Sequence, residues 1–221
     1  MQEQAVTEAY SATEEIAHSV THGIGVLLSV VGLATLIVYS SRYGDAWHIV
    51  SSSIYGVTLI ALYTVSALYH GVTAPRFKNV LQRLDHAAIF RLIAGTYTPF
   101  TLVNLRGGWG WSLFGTVWSV AVAGAIMELL VTQRSRRISI GLYLGLGWLV
   151  AIAIQPMLAN VAPGGLVLLV VGGLFYSLGV IFYVWRTLAF HHAIWHLFVL
   201  AGSAAHFFAV FRYVIPNGAT A

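Results

Sequence analysis

Three histidines, a serine and an aspartate are the side chains of this 221-residue chain whose types and spacing suit chemistry best. His192 and His196 lie one helical turn apart, so both imidazoles project from one helix face. Such an i,i+4 pair is a natural two-point ligand for a divalent metal. One further nitrogen, from His70 at the end of Ser66-Ala67-Leu68-Tyr69-His70, would leave a position open for water. Three protein ligands plus water is the catalytic form of a zinc site, whereas structural sites are closed by four. Ser66 lies one turn deeper than His70 on the same face, where its hydroxyl lines the pocket. Asp85 is placed to hydrogen-bond the bound water from outside the ligand set. An HxxxH pair by itself is weak evidence; the case depends on three distant stretches reaching one depth.

The elements that must bring them together are membrane helices. Hydrophobic residues make up 58% of the chain and charged residues 8%, against about 25% charged in a soluble domain, whose surface faces water. The absence of cysteine excludes disulfides, thiolate ligands and Cys nucleophiles. A net charge of +4 in such a chain reflects loop charges, not affinity for nucleic acid. Spans of roughly 20 apolar residues cross the hydrocarbon core. Seven are expected: His18 to Ser40, His48 to His70, Asp85 to Asn104, Trp109 to Val131, Ile138 to Leu158, Gly164 to Trp185 and His192 to Val214. The fold class is therefore an all-α bundle of seven transmembrane helices, residues 18–221, after a short acidic segment, residues 1–17. Glu3, Glu8, Glu14 and Glu15 precede the first apolar run, unlike the basic start of a signal peptide, so that run is expected to stay as the first helix.

Short links make neighbouring helices antiparallel, and the odd number of spans puts the termini on opposite sides. The loops after the second, fourth and sixth spans hold Arg76, Lys78, Arg83, Arg134, Arg136, Arg137 and Arg186, while the other side holds Arg42, Arg106 and Arg212. The positive-inside bias places the N-terminus in the cytoplasm and the C-terminus outside. That orientation, assigned from Lys and Arg alone, brings His70, Asp85, His192 and His196 to one cytoplasmic depth.

The remaining polar residues are assigned structural places. His18 and His22, also i,i+4, are expected to be interfacial or hydrogen-bonded, with a second site or the pocket wall as alternatives. His206 lies about 15 Å along the helix from His196, too far to share an ion, and is expected to be a satisfied core histidine. His86 and His191 point away from the site. Arg91 is expected to snorkel or pair with a carboxylate, and Glu128 to snorkel to the cytoplasmic surface near Arg134. Pro99 should kink the third helix. Gly141, Gly145 and Gly147 either permit close helix contact or are unremarkable membrane-helix glycines.

Five stretches carry a family resemblance: Glu14 to Gly25 (EEIAHSVTHGIG), Ser66 to His70, Asp85 to Phe90 (DHAAIF), Gly95 to Phe100 (GTYTPF) and His192 to Ser203 (HAIWHLFVLAGS). They extend from the first helix to the last, and together the chain resembles the hemolysin III branch of the progestin and adiponectin receptor (PAQR) family. That family belongs to a wider group of seven-helix membrane proteins including alkaline ceramidases. The resemblance implies a multi-pass protein of the cell membrane (bacterial inner membrane) with a zinc ion near its cytoplasmic face. By position, the metal ligands are His70, His192 and His196, the family serine is Ser66 and the family aspartate is Asp85. Hormone binding and a ceramidase-like calcium site are not carried over, and a stably inserted bundle does not by itself support hemolysis.

The function expected on these grounds is zinc-dependent hydrolysis of a lipid amide or ester, serving membrane-lipid or fluidity homeostasis. Asp85 would move the proton and Ser66 would donate to the oxyanion. The rivals are a non-catalytic membrane sensor with structural zinc and, ranked last, a transporter or lytic pore. A membrane lipid is the expected substrate or ligand; the sequence leaves its identity and the oligomeric state open.

Overall fold

A computed structural model describes residues 10–131 and 135–215. Glu3, Glu8 and Arg134, used above for charge placement, lie outside the described residues. The first helix, α1 (Ala12–Tyr43), starts six residues before the expected span because Ser11 and Glu14 form a capping box. The Ser11 hydroxyl accepts from the Glu14 amide at 3.3 Å, and the Glu14 carboxylate accepts from the Ser11 amide at 3.0 Å. Glu14 and Glu15 therefore belong to α1. At the opposite end Asp45 caps α2 (Ala46–Gly71), accepting from the Trp47 and His48 amides. The His48 side chain, 2.7 Å from Asp45, holds that carboxyl below its ordinary pKa.

Helix α3 (Pro75–Pro99) begins ten residues earlier than the apolar pattern predicts. Pro75 at its first turn is compatible with a helix start, since the missing N–H would have had no helical partner. Arg76, Lys78 and Arg83 thus stand on helix turns and not on a loop. At the other end Pro99 cannot donate to the helix behind it, and the chain passes into a π-helical turn, Phe100–Asn104, where the Leu105 amide bonds Phe100 O five residues back. Gly107, at φ 136°, makes the turn into α4 (Gly108–Leu130).

The fifth span is broken. Helix α5 (Arg136–Gly147) passes through a 3-10 stretch, Leu149–Ala153, into the short α6 (Ile154–Asn160). The Tyr97 hydroxyl sits in the break, shared between the Leu146 and Gly147 carbonyls at 2.9 and 2.8 Å and accepting the Val150 amide at 2.9 Å. It meets the backbone needs that an interrupted membrane helix would otherwise leave unsatisfied. Helices α7 (Pro163–Val184) and α8 (His191–Tyr213) complete the bundle.

Among the described residues seven rods result, six of them apolar and long enough to cross a membrane by length and composition. The exception is α3, and burial explains why. From Ala87 to Pro99 ten of the thirteen residues are buried, so this helix faces protein and need not satisfy lipid. Lipid-facing stripes instead run along α1 (Ile16, Val20, Ile24, Leu27, Val31) and α7 (Val167, Val170, Leu174, Leu178, Ile181), all exposed and spaced three or four apart. Close helix approach occurs at Gly95 against Thr58 and at Gly124 against Phe90. Gly141, Gly145 and Gly147 have open space where a Cβ would stand, so they are not close-contact points.

Arg76, Lys78, Arg83, Arg136, Arg137 and Arg186 gather at the end of the bundle where α1 begins, which makes that end cytoplasmic. A chain without cysteine allows a direct check. Single cysteines replacing exposed, uncharged Ser41 or Asn160 should react with an impermeant maleimide in intact cells. Those replacing Asn79 or Thr187 should react only after permeabilisation.

Candidate metal centre

The cytoplasmic halves of α1, α2 and α8 pack side by side, and their inward faces are histidine. His70 closes α2, and His192 and His196 occupy the first turns of α8. Phe190, in the left-handed region at φ 55°, turns the chain sharply into α8 and sets those turns against α1. All three imidazoles are buried, and one nitrogen from each lies within 4.8 Å of the other two. Nitrogens about 2.1 Å from a tetrahedral ion stand about 3.4 Å apart, so small side-chain rotations would bring these three to ligating distance.

The second nitrogen of each ring is already engaged. The Nδ1 of His70 is 2.6 Å from Glu15 Oε2. The Nδ1 of His196 contacts the His18 carbonyl at 3.2 Å and the Thr21 hydroxyl at 3.1 Å, and the Nδ1 of His192 is 3.3 Å from the Tyr10 hydroxyl. A carboxylate and a carbonyl only accept, so His70 and His196 carry their proton on Nδ1 and present a bare Nε2. For His70 that Nε2 is buried with no hydrogen-bond partner among the described residues. A neutral buried acceptor left this way costs about 1–3 kcal/mol, and a cation is the partner that three converging lone pairs suit. The donor set fits a divalent metal.

Asp85 and Ser66 lie beside the three histidines. The Asp85 carboxyl, buried at the start of the membrane-embedded part of α3, is close enough to feel both the His70 ring and the Ser66 hydroxyl. All five residues singled out from the sequence therefore share one site. His206 is separate, its Nδ1 donating to Gly202 O at 2.8 Å, and His191 donates to Phe182 O at 3.0 Å.

Several neighbours were misplaced by the sequence. His18 and His22 are not interfacial but 0% and 3% exposed, and among the described residues none of their ring nitrogens has a hydrogen-bond partner; the alternative of a pocket wall holds for His22, which lines the cavity beside the site. His18 packs edge-on against His70, His192 and His196 at 4.7, 4.9 and 5.5 Å between ring centroids, and His22 stacks on His196 at 3.5 Å. Glu15, Tyr10 and Thr21 were not foreseen as part of the site. Their signal was the run Glu14-Glu15 one turn before His18, which puts carboxylates and imidazoles on a common face. Glu128 does not snorkel. It is fully buried, accepts from the Ser139 hydroxyl at 2.6 Å and lies 3.6 Å from His86, which binds α3, α4 and α5 together. Arg91 is half-buried and forms no ion pair among the described residues.

A cavity of about 1960 Å³ opens from the histidines, roughly twice the upper range of ordinary small-molecule pockets. Ser66, Asp85, His192 and His196 line one end, and Leu144, Val180 and Met157 belong to its apolar wall between α5, α6 and α7. Leu158, Val167 and Val170 also line it and are exposed, the two valines standing on the stripe of α7 that continues through Leu174, Leu178 and Ile181. The cavity is thus continuous with the lipid-facing side.

Residues 10–207 match the family model described as Haemolysin-III related. The chain is 48% identical to a Hemolysin-3 homolog of Bacillus subtilis (strain 168), an alignment covering 93% of this chain and 97% of the relative. It is 46% identical to Hemolysin-3 of Bacillus cereus, over 92% and 93% of the two chains. It is 30% identical to the human Monocyte to macrophage differentiation factor, over 91% and 84%. No solved structure matches.

Alanine at His70, His192 or His196 should each weaken divalent-metal binding by about 100-fold or more in equilibrium dialysis, while His206→Ala and His48→Ala should leave it unchanged.

Proposed function

We propose that this chain, which belongs to the haemolysin-III-related family, is a zinc-dependent hydrolase acting on a lipid amide or ester. The observation that carries the proposal is the juxtaposition of three convergent imidazoles, a buried carboxyl and a hydroxyl at the end of a cavity open to the lipid-facing surface. His70, His192 and His196 would hold the metal. Zinc held there supplies Lewis acidity toward a carbonyl group and toward water at neutral pH.

The chain's own residues do the rest. Apolar side chains of α5, α6 and α7 accept the hydrocarbon part of a lipid entering from the bilayer and exclude bulk water. Ser66 donates a hydrogen bond to the substrate carbonyl oxygen as negative charge develops on it. Asp85 accepts a proton from the attacking water and delivers it to the departing nitrogen or oxygen. Turnover of this kind would serve membrane-lipid or fluidity homeostasis.

One observation favours a second reading, a non-catalytic sensor with structural zinc. The His18 ring stands 4.7–5.5 Å from the rings of His70, His192 and His196, and among the described residues neither of its nitrogens has a hydrogen-bond partner, Glu15 lying 3.9 Å from Nδ1. Rotated inward it would supply a fourth ligand and close the site. Asp85→Ala separates the two. A hydrolase should keep its metal while turnover of labelled amide or ester lipids in detergent or vesicles falls about 10²–10⁴-fold. A structural site should lose metal or fold only when a histidine is removed, and wild type should show no turnover.

A further inference from the structure

The three ligand histidines come from α2 and α8, yet every Nδ1 contact among them is made by residues 10–21. The shortest is Glu15 to His70, at 2.6 Å. Glu15 also reaches α3. Its second oxygen is 2.6 Å from Lys78 Nζ on α3, and Lys78 in turn donates to Tyr69 O at 3.3 Å. One carboxylate thus ties α1 to the ligand-bearing end of α2 and to the first turns of α3. The Lys78 ammonium balances its charge, so a negative group sits beside a buried imidazole without an unpaired ion in the bundle.

We propose that Glu15 is the positioning residue of the metal centre. Its carboxylate holds His70 by the Nδ1 proton, fixing the tautomer and the ring plane so that Nε2 faces the ion. Thr21 and the His18 carbonyl hold His196 in the same manner. This rests on the site's binding a divalent ion and adds which residues set that affinity. A carboxylate accepting from the far nitrogen raises the basicity of the ligating one, and loss of such a partner costs about 10–100-fold in metal affinity. Thr21 serves the purpose by geometry: its hydroxyl donates to Ala17 O at 2.8 Å and His18 O at 2.9 Å. Its lone pairs are therefore left to accept from His196.

Glu15, His18 and His70 could also form a metal-ligating trio of their own. The Lys78 ammonium on Glu15 opposes a second cation there, and the 2.6 Å contact already uses the only face of His70 that Glu15 reaches. Glu15 is therefore assigned as an outer partner and not as a ligand.

Cobalt(II) titration of metal-free, full-length protein in detergent tests this, read by visible d–d absorption and by cobalt stoichiometry. Wild type should bind one ion. Glu15→Gln, which keeps shape but not charge, should bind it about 10–100-fold more weakly with an altered absorption band. Glu15→Asp should recover part of the loss. Lys78→Met, which cuts the ion pair but leaves the His70 contact, should stay within a few-fold of wild type, and the metal-free melting temperature of Glu15→Gln should stay near wild type. Wild-type affinity in Glu15→Gln would overturn the proposal. So would an equal loss in Lys78→Met, which would make Glu15 a structural tie, or two ions per wild-type chain with one lost in Glu15→Gln, which would make it a ligand. A wild type that binds no cobalt would instead defeat the metal site itself, and this proposal with it.

Discussion

An imidazole buried in a membrane bundle has two nitrogens to satisfy and no water to satisfy them with. One can donate its proton to a fixed acceptor; the other, a bare lone pair, needs a proton donor or a cation. Here the cytoplasmic end of the bundle crowds His18, His22, His70, His192 and His196 into mutual ring contact. Acceptors from the start of α1 engage the proton-bearing nitrogens of His70 and His196. The helices around this cluster are arranged by that requirement. Helix α1 must begin early enough to offer Glu15, α2 must end on His70, and α8 must begin on a sharp left-handed residue so that His192 and His196 face inward.

Packing elsewhere keeps the cluster in place without filling the space beside it. Ser203 of α8 receives the Tyr63 hydroxyl of α2 at 2.7 Å and meets the Tyr176 hydroxyl of α7 at 2.8 Å, which locks the three helices about two to three turns deeper than the histidines. The buried Glu128 does the same for α3, α4 and α5 through Ser139 and His86. Between these two polar anchors the broken fifth span stands off from α7, leaving an apolar chamber that begins at His192 and reaches the lipid-facing surface.

The spans and the main site residues were legible because their signals are local. Apolar runs mark the helices, Arg and Lys mark the inside, and the i,i+4 pair His192/His196 marks a ligand face. What stayed hidden depended on partners distant in sequence. Pro75 starts α3 on polar residues, which an apolar-length criterion cannot see. Glu128 looked like a residue near a helix end that would reach for water, but α5 supplies Ser139 to bury it. His18 and His22 carry no mark separating an interfacial ring from a buried one; only the packing of α1 against α8 decides it. Tyr97 lies fifty residues from the break it fills in the fifth span, so neither the break nor its cure could be read along the chain.

The central claim is that α2 and α8 together present three imidazole nitrogens to one divalent ion. Zinc K-edge X-ray absorption on purified, zinc-loaded protein measures that directly. A first shell of nitrogen and oxygen near about 2.0–2.1 Å, with the multiple-scattering signature of three imidazoles that falls to one in His192→Ala/His196→Ala, is the expected result. A zinc shell without imidazole, or one unchanged in the double variant, would contradict it.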